Sequence, residues 1–279
     1  MKTALVVLNY NDATRCIDVV NYGVTNQIFD YYILVDNNSN KTDLELLNSA
    51  RGDNIFLILN KENKGYGSGH NAGLRYAVEK LHVDFVFVIV SDIEYTKESI
   101  LECISVLSNN SNIGAITCRI RNLDGTEGEA AWYRPTYKDF LLWCYPMLRK
   151  FRSTEKYNFD SDANYSIVDV IRGSFIGFSA LALKECDYFD ENVFLYNEEN
   201  IIADRMRIKG YDMAILHSHF YLHKHINKRS RHKKISELYK EAESGIYYMK
   251  QYQNIKGIKL FLLIFSTGIL VLLRFVKQG

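Results

Sequence analysis

Two adjacent carboxylates, Glu198 and Glu199, are the first groups in the sequence that could do chemistry. They open a segment, 198–208, in which apolar residues recur at helical spacing until Gly210 ends the pattern. A carboxylate held at the start of a helix can take a proton from a bound hydroxyl group. Acidic residues in a first helical turn also stabilise the helix through its dipole, which is a purely structural explanation of the same pair.

A second pair of carboxylates, Asp92 and Glu94, follows an apolar run at 85–90. Two acids separated by one residue at the end of a strand can share a divalent cation, which would bridge the phosphates of a diphosphate. An ordinary turn is the alternative explanation.

The segment 63–73, NKGYGSGHNAG, is rich in glycine and precedes a predicted helix at 69–81. Closely spaced glycines let backbone amides approach a phosphate, and a helix N-terminus favours an anion. The segment lacks the Gly-Lys-Ser/Thr of a P-loop and fits the dinucleotide-binding fingerprint poorly. A flexible loop is the alternative.

A run rich in histidine and basic residues follows a predicted short strand at 213–216. It contains His217, His219, His223, His225, His232, Lys224, Lys228, Arg229, Arg231, Lys233 and Lys234. One histidine could bind a metal, and the basic residues could bind phosphates or anionic lipid. A solvated basic surface is the alternative for most of them.

The elements that must position these groups alternate along the chain. Uninterrupted apolar runs at 4–8, 31–35, 55–59 and 85–90 predict buried strands, and helical patterns separate several of them. This order predicts a parallel sheet covered on both faces, in which ligands bind beyond the carboxyl ends of the strands. Each of those ends carries Asn, Asp or Gly, which makes the first hundred residues a predicted nucleotide-binding half.

Further elements follow in the second half. We predict a helix at 99–107, a strand at 113–120, and a strand pair or a strand-to-helix passage around Arg172-Gly173. The segment 132–151 mixes aromatic and basic residues, which suits a sugar platform, a lipid headgroup zone or a buried helix and loop.

Composition excludes several classes of protein. The chain has 279 residues, enough for one large domain or two small ones, and 34 basic against 33 acidic residues give no reason to expect a nucleic-acid partner. The five cysteines form no CxxC pair, which argues against zinc and a disulfide framework and fits a reducing compartment. The N-terminal apolar run is too short for the core of a signal peptide.

The C-terminus carries an uncharged apolar run, 260–273, between Lys259 and Arg274. A bilayer crossing needs about 20 apolar residues, so the run is short for a span. Apolar on all sides and flanked by bases, it predicts a helix lodged against the cytoplasmic leaflet. A subunit interface, and hence a homodimer, is the competing explanation.

Four motifs in order resemble one family. The first strand ends in Asn9-Tyr10-Asn11, the second ends in VDNNS at 35–39, and the glycine segment and FDENVFLYNEE at 189–199 follow. From about residue 5 to about 225, the chain resembles the inverting GT-A-fold glycosyltransferases of family 2, in the branch close to bacterial rhamnosyltransferases. The implied fold is α/β, a Rossmann-like nucleotide-binding half with a mostly parallel sheet, plus C-terminal membrane-associating helices.

The resemblance implies roles for individual residues. The implied nucleotide-sugar site consists of Asn9, Tyr10, Asp36, Asn38, Lys64, Gly65, Asn71 and Asp92. On the acceptor side the resemblance implies Arg172, Gly173 and Trp132. The implied divalent ion, Mg²⁺ or Mn²⁺, would be bound by Asp92, with Glu94 and His223 as further ligands and His225 as a rival to His223.

The chain departs from the family pattern at two places. The metal motif reads Ser-Asp-Ile-Glu at 91–94 and lacks its first acid, which puts Glu94 in doubt. The usual Glu-Asp base motif is Glu198-Glu199, and we assign the base to Glu199, which aligns with the Asp, over Glu198.

The implied enzyme transfers a hexosyl or deoxyhexosyl group from a UDP-, dTDP- or GDP-linked donor, with inversion, to a lipid-linked or polysaccharide acceptor in bacterial surface polysaccharide synthesis. It would act at the cytoplasmic face of the membrane as a peripheral or monotopic protein. Residues 1–225 would form the transferase domain, with a nucleotide-binding half at 1–95 and an acceptor half at 96–225. Residues 226–279 would form a basic linker and an apolar, membrane-associated tail. The alternative is a catalytically silent scaffold subunit of the same fold.

Overall fold

The computed structural model describes residues 1–50, 52–145, 147–148, 157, 159, 163–224 and 235–276. The strands are β1 Thr3–Asn9, β2 Tyr31–Asp36, β3 Ile55–Leu59, β4 Phe85–Ile89, β5 Ile93–Glu94, β6 Ile113–Asn122, β7 Glu127–Gly128, β8 Ala131–Trp132, β9 Tyr165–Val168, β10 Val170–Ile171, β11 Phe175–Ser179 and β12 Asp212–His223. The α-helices are α1 Ala13–Thr25, α2 Lys41–Ser49, α3 Tyr66–Arg75, α4 Lys97–Asn109, α5 Tyr137–Cys144, α6 Ala180–Glu185, α7 Glu198–Ile208, α8 Ile235–Gln251 and α9 Gly257–Val276; a π-helical turn, Tyr76–Lys80, follows α3.

The first four predicted strands are confirmed and form the parallel order β3-β2-β1-β4. Residues 4–7, 32–35 and 86–89 are fully buried, which explains why these runs carry no polar residue at alternate positions. The register places Asn9 opposite Asp36, so the ends of β1 and β2 meet at one edge of the sheet. Sequence reasoning did not predict α2, and it began α3 three residues late, at Gly69.

The second half extends the same sheet in the order β4-β11-β6-β12-β5. Strand β11 is antiparallel to both of its neighbours, whereas β12 is parallel to β6. The passage after Arg172-Gly173 is a strand followed by a helix, one of the two predicted alternatives. The predicted strand 213–216 is too short, because β12 continues past a register shift between Leu216 and Phe220 and ends at His223.

Helices α8 and α9 pack on the second half rather than standing apart from it. A small core contains Ile201 of α7, Tyr248 and Met249 of α8, and Leu263 of α9. The predicted domain boundary at 225/226 lies outside the described residues. So do Arg149, Lys150, Phe151, His225, Lys228, Arg229, Arg231, His232, Lys233 and Lys234.

Two buried aspartates join α8 to α7. Asp190 accepts hydrogen bonds from the hydroxyl groups of Tyr247 and Tyr252, at 2.9 and 2.5 Å, and pairs with Arg205 at 3.1 Å. Removing one partner of a buried ion pair costs about 3–5 kcal/mol, because the other charge is left uncompensated. Asp190 therefore fixes α8 on the second half of the fold.

Asp204, on α7 itself, forms the second of these links. It accepts from Tyr248 of α8 at 3.0 Å and from Arg134 at 2.9 Å. The two aspartates thus hold α8 at two points along its C-terminal half.

Helix α3 lies against the sheet at a distance that requires glycine at position 73. A Cβ atom there would lie 2.6 Å from Val6 and 2.7 Å from Val35, both β-branched and in strands. We expect Gly73→Ala to lower the free energy of unfolding by about 1–3 kcal/mol through overpacking, as measured by urea denaturation. Gly52→Ala is the matched control, since its Cβ would make an ordinary contact of 3.5 Å with Ile55. Equal stability of the two variants would contradict the packing argument.

Candidate active site

The two glutamates open helix α7 after an unusual turn. Tyr196 and Asn197, directly before them, both adopt left-handed backbone conformations, with φ of 74° and 65°. Such conformations cost about 1–3 kcal/mol each in residues other than glycine, and they persist where surrounding contacts hold them. The turn aims Glu198 and Glu199 into a cavity.

The cavity has a volume of about 210 Å³. Its walls come from five parts of the chain: the start of α3, the residue after β4, the loop before β11, the turn into α7 and the end of β12. They consist of Tyr66, Val90, Arg172, Gly173, Ser174, Leu195, Tyr196, Glu198, Glu199 and His223. The cavity thus combines two carboxyl groups with a guanidinium and an imidazole.

The backbone of the loop before β11 holds Glu199. The amide of Gly173 donates a hydrogen bond to Glu199 Oε1 at 3.2 Å, and the hydroxyl of Tyr66 donates to the Gly173 carbonyl at 2.6 Å. A Cβ at position 173 would lie 3.0 Å from Glu199 Oε1 and 3.1 Å from the Tyr66 hydroxyl oxygen. Glycine therefore allows the carboxylate to approach the backbone amide.

Glu198 has a different environment. Its side chain is 4% exposed, and among the described residues its Oε1 atom has no hydrogen-bond partner. Burial, together with the charge of neighbouring Glu199, raises the pKa of Glu198 to about 8. The Glu198 carboxyl is therefore mostly protonated at neutral pH, and a protonated acid cannot act as a base. This difference favours Glu199 as the proton acceptor.

Asp92 and His223 come together at the edge of the sheet where β4 and β12 end. Asp92 Oδ2 lies 3.5 Å from His223 Nε2, because β12 pairs with β5 so that His223 is opposite Ile93. The predicted third ligand, Glu94, is exposed and pairs with Lys224 at 2.5 Å. In the described part of the chain, no cluster of three or more His, Cys, Asp or Glu could hold a metal ion.

The pair formed by Asp92 and His223 fits Mg²⁺ or Mn²⁺. These ions accept carboxylate oxygen, and Mn²⁺ also accepts imidazole nitrogen. A site with two protein ligands leaves coordination positions for phosphate oxygens and water, as is usual where Mg²⁺ binds a nucleotide.

Polar residues at the ends of β1 and β2 form a connected group. Asn9 donates to Asp36 Oδ1 at 3.0 Å and to the Ser39 hydroxyl at 2.9 Å, and both Asn9 and Asp36 are buried. Tyr10 is 54% exposed, and Asn38 is exposed in a left-handed conformation with φ of 64°. Two surface side chains thus flank one fixed carboxylate, an arrangement that can hold a planar ring against a hydrogen-bond acceptor.

The glycine segment docks on the stretch that leads to the turn before Glu198. The amide of Tyr66 donates to the Phe194 carbonyl at 3.0 Å, and a Cβ on Gly65 would lie 1.9 Å from that oxygen. Asn71 donates to the Phe189 carbonyl at 2.9 Å. The first amide of α3 thus binds protein, so these glycines have a packing function at this end of the helix. Lys64 points away and pairs with Glu62 on the surface.

The acceptor-side residues border α7. The indole of Trp132 donates to Asn200 at 2.9 Å, and the guanidinium of Arg172 lies 5.6 Å from the Trp132 ring centroid. Arg172 also donates to the Glu129 carbonyl at 2.6 Å. These contacts fix the Trp132 ring beside the cavity.

Sequence reasoning missed two functional features. It did not identify the hydroxyl of Tyr66, although the motif includes this aromatic residue, since its partner is 107 positions away. It also missed the left-handed pair before Glu198; the Asn at 197 was the available signal, because Asn adopts this conformation more readily than most residues.

A family model described as Glycosyl transferase family 2 matches residues 6–167, more than half of the chain. The chain belongs to glycosyl transferase family 2. A curated relative of this family 2 protein is the low-salt glycan biosynthesis hexosyltransferase Agl10 of Haloferax volcanii, 28% identical over 183 residues. The match covers 66% of this chain and 55% of Agl10, so the chain spans about half the length of that relative.

Solved structures share the GT-A fold of this family 2 protein. The mannosyltransferase PcManGT from Pyrobaculum calidifontis, in complex with GDP-Man and Mn²⁺, superposes with a TM-score of 0.59 at 14% identity, over 97% of this chain and 69% of that one. GalNAc-T7 with UDP, GalNAc and Mn²⁺ gives 0.58 at 14% identity, over 80% and 44%. At these identities the likeness concerns the fold.

The buried carboxyl of Glu198 makes stability depend on pH. Its folded pKa is raised from 4.5 to about 8, so its contribution to stability is fully present below pH 4.5 and is lost as the pH rises through about 8. Glu198→Gln stays neutral at every pH. We therefore expect the stability of the variant relative to the native protein to increase from pH 5 to pH 8.5, by on the order of 4 kcal/mol.

Thermal denaturation of both proteins at the two pH values measures this gain. Exposed Glu243 is the control, and Glu243→Gln should leave the pH dependence unchanged. A constant difference between Glu198→Gln and the native protein at both pH values would show that Glu198 titrates normally.

Proposed function

We propose that this chain transfers a hexosyl or deoxyhexosyl group from a nucleotide sugar, with inversion, to a hydroxyl of a lipid-linked or polysaccharide acceptor. The observation that carries the proposal is the convergence of Glu199, Arg172 and His223 on one cavity, with Asp92 next to His223. A base and a diphosphate site on two walls of one cavity are what an inverting transfer requires.

Glu199 serves as the base. As the acceptor oxygen attacks the anomeric carbon, its proton passes to the Glu199 carboxylate, and the bond from that carbon to the phosphate oxygen breaks with its electron pair. The Gly173 amide keeps Glu199 at its place on the cavity wall. Glu198 is neutral at pH 7 and avoids placing a second negative charge beside the base.

The leaving diphosphate develops negative charge that the site must neutralise. Asp92 and His223 would hold a Mg²⁺ or Mn²⁺ ion, which supplies Lewis-acid stabilisation of phosphate oxygens. The guanidinium of Arg172 lines the same cavity as a further cation. Glu94 is engaged by Lys224, so Asp92 and His223 are the ligands we favour.

The nucleoside would lie along the ends of β1 and β2. Asp36 offers a fixed carboxylate for a donor group of the base, with Asn9 orienting it, and Tyr10 and Asn38 flank it at the surface. Strand β1 lies between β2 and β4, so this group and Asp92 share one edge of the sheet. Gly65 and Asn71 act on this half through the position of α3, whereas Lys64 pairs with Glu62 on the surface.

The acceptor would reach the cavity from the membrane. Among the described residues, one helix, Gly257–Phe275, is long and apolar enough to cross a membrane by length and composition. Its exposed side chains include Phe261, Phe265 and Leu272. Apolar surface with flanking bases suits a peripheral or monotopic helix at the cytoplasmic leaflet. This location supports a role in surface polysaccharide synthesis.

Replacing Glu199 by Gln separates chemistry from binding. We expect Glu199→Gln to lower kcat by about 10²- to 10⁴-fold, because the base is lost. The affinity for the matching nucleoside diphosphate with Mn²⁺ should remain within about twofold, since the proposed diphosphate site consists of Asp92, His223 and Arg172. Radiolabelled sugar transfer measures the first, and calorimetric titration with UDP, dTDP and GDP measures the second.

Asp92→Asn should weaken the metal-dependent part of nucleotide binding, which Glu199→Gln leaves nearly unchanged. Full turnover of Glu199→Gln would move the base elsewhere. Folded native protein that binds none of the three nucleotides, with or without metal, would favour the silent scaffold.

The exposed face of α9 is the part that should bind lipid. We expect the triple variant Phe261→Ser, Phe265→Ser, Leu272→Gln to bind vesicles of phosphatidylethanolamine and phosphatidylglycerol at least about tenfold more weakly, because burial of each apolar side chain contributes roughly 1.5–3 kcal/mol. Leu263 and Leu270, which are buried, remain untouched, so the fold is kept. Vesicle co-sedimentation measures the effect.

The control carries three exposed apolar residues elsewhere: Leu59→Ser, Leu123→Ser and Leu181→Ser. It should sediment with vesicles like the native protein. If the α9 variant also sediments like the native protein but loses dimers in analytical ultracentrifugation, α9 is a subunit interface instead.

A further inference from the structure

Helix α8 borders the turn that aims the two glutamates. The ammonium of Lys240 lies 3.9 Å from the ring centroid of Phe194, and the side-chain amide of Asn197 donates through Nδ2 to the hydroxyl of Ser244 at 3.0 Å. Ser244 is 3% exposed and faces the core of the protein. The C-terminal segment therefore touches the turn itself.

These contacts belong to a continuous chain of hydrogen bonds. The hydroxyl of Ser244 donates to the Glu241 carbonyl at 3.2 Å and accepts from Asn197. Asn197 Oδ1 accepts from Asn200 at 2.9 Å, and Asn200 Oδ1 accepts from the Trp132 indole at 2.9 Å. This series of hydrogen bonds thus runs from α8 across the first turn of α7 to the acceptor side of the cavity.

Asn197 occupies the N-cap position of α7 without capping it. In most helices an Asn at this position accepts from an amide of the first turn, but here φ is 65° and the side chain makes no such bond. Its amide group instead reaches sideways to Ser244 and Asn200. The two sideways bonds hold a backbone conformation that costs free energy, and Glu198 and Glu199 follow it directly.

We propose that Ser244, acting through Asn197, is a positioning residue for the base Glu199. Helix α8 is then part of the catalytic apparatus. The inference deepens the proposed function and rests on it. Without the Ser244 bond, Asn197 can leave its left-handed conformation, and the Glu199 carboxylate moves off the acceptor hydroxyl while the diphosphate site is unchanged.

Ser244→Ala tests the proposal in the whole 279-residue chain. The loss of one neutral hydrogen bond predicts a kcat about 3- to 10-fold lower, with the donor KM and the affinity for the nucleoside diphosphate within about twofold. Thr267→Ala is the matched control, because Thr267 is a buried hydroxyl that bonds within its own helix α9. We expect native kcat for this control.

Asn197→Gly provides the second arm. Glycine accepts the left-handed conformation without strain, so the fold is kept. It populates other conformations about as readily, however, and without the two side-chain bonds nothing holds the turn before Glu199 in one of them. We expect a kcat loss at least as large as that of Ser244→Ala. The double variant should lose no more than Asn197→Gly alone, because Ser244 acts through Asn197. Three results would each overturn the proposal. The kcat losses of Ser244→Ala and Asn197→Gly could multiply in the double variant, Ser244→Ala could keep the native kcat, or Thr267→Ala could lose as much kcat as Ser244→Ala.

Amide hydrogen exchange provides a readout that does not depend on transfer. Ser244→Ala should speed exchange of the Ile201 amide, which donates to the Asn197 carbonyl, and Thr267→Ala should not. Unchanged exchange in Ser244→Ala overturns the positioning role. A different result is also decisive: the native protein transfers no sugar, but exchange of the Ile201 amide is faster in Ser244→Ala. This result would overturn the proposed function, while the structural link between α8 and the turn would stand.

Discussion

The docking of helix α3 onto the segment 189–194 is the contact on which the rest of the site depends. Asn71 exchanges two hydrogen bonds with the backbone of Phe189, and the amide of Tyr66 binds the Phe194 carbonyl. The glycines of α3 permit this approach. The same segment leads within a few residues into the turn before Glu198, so the first half of the chain sets the position of Glu199, the proposed base. The two halves of the site therefore share one framework.

The sequence was informative where the signals are local. Uninterrupted apolar runs predicted the four parallel strands, because a strand buried on both faces has no polar position. Strand ends marked by Asn and Asp correctly located the edge at which Asn9, Asp36 and Asp92 lie. The start of α7 at Glu198 was also predicted, since an acidic pair, an apolar helical repeat and a closing glycine are adjacent in the chain.

What the sequence did not disclose comes from contacts between distant residues. The family motif favours Glu199 over Glu198, but no local pattern reveals their different surroundings. In the part of the chain that the structure describes, Glu198 Oε1 is buried with no hydrogen-bond partner, whereas Glu199 Oε1 accepts from the Gly173 amide only after folding. The extension of β12 to His223 depends on pairing with β6 and β5. The glycines of 63–73 suggested a loop that binds phosphate. Close packing of α3 on the sheet explains the same small residues equally well.

The separation of 118 positions between Asn71 and Phe189 has a consequence for the order of folding. Contacts between distant parts of a chain form late, because the entropy of closing a long loop must be overcome first. Strands β1 to β4 follow one another closely, whereas Glu199, the proposed base, reaches its position only when the second half returns to α3. A nascent chain would thus form the first four strands early and complete the cavity only late in folding.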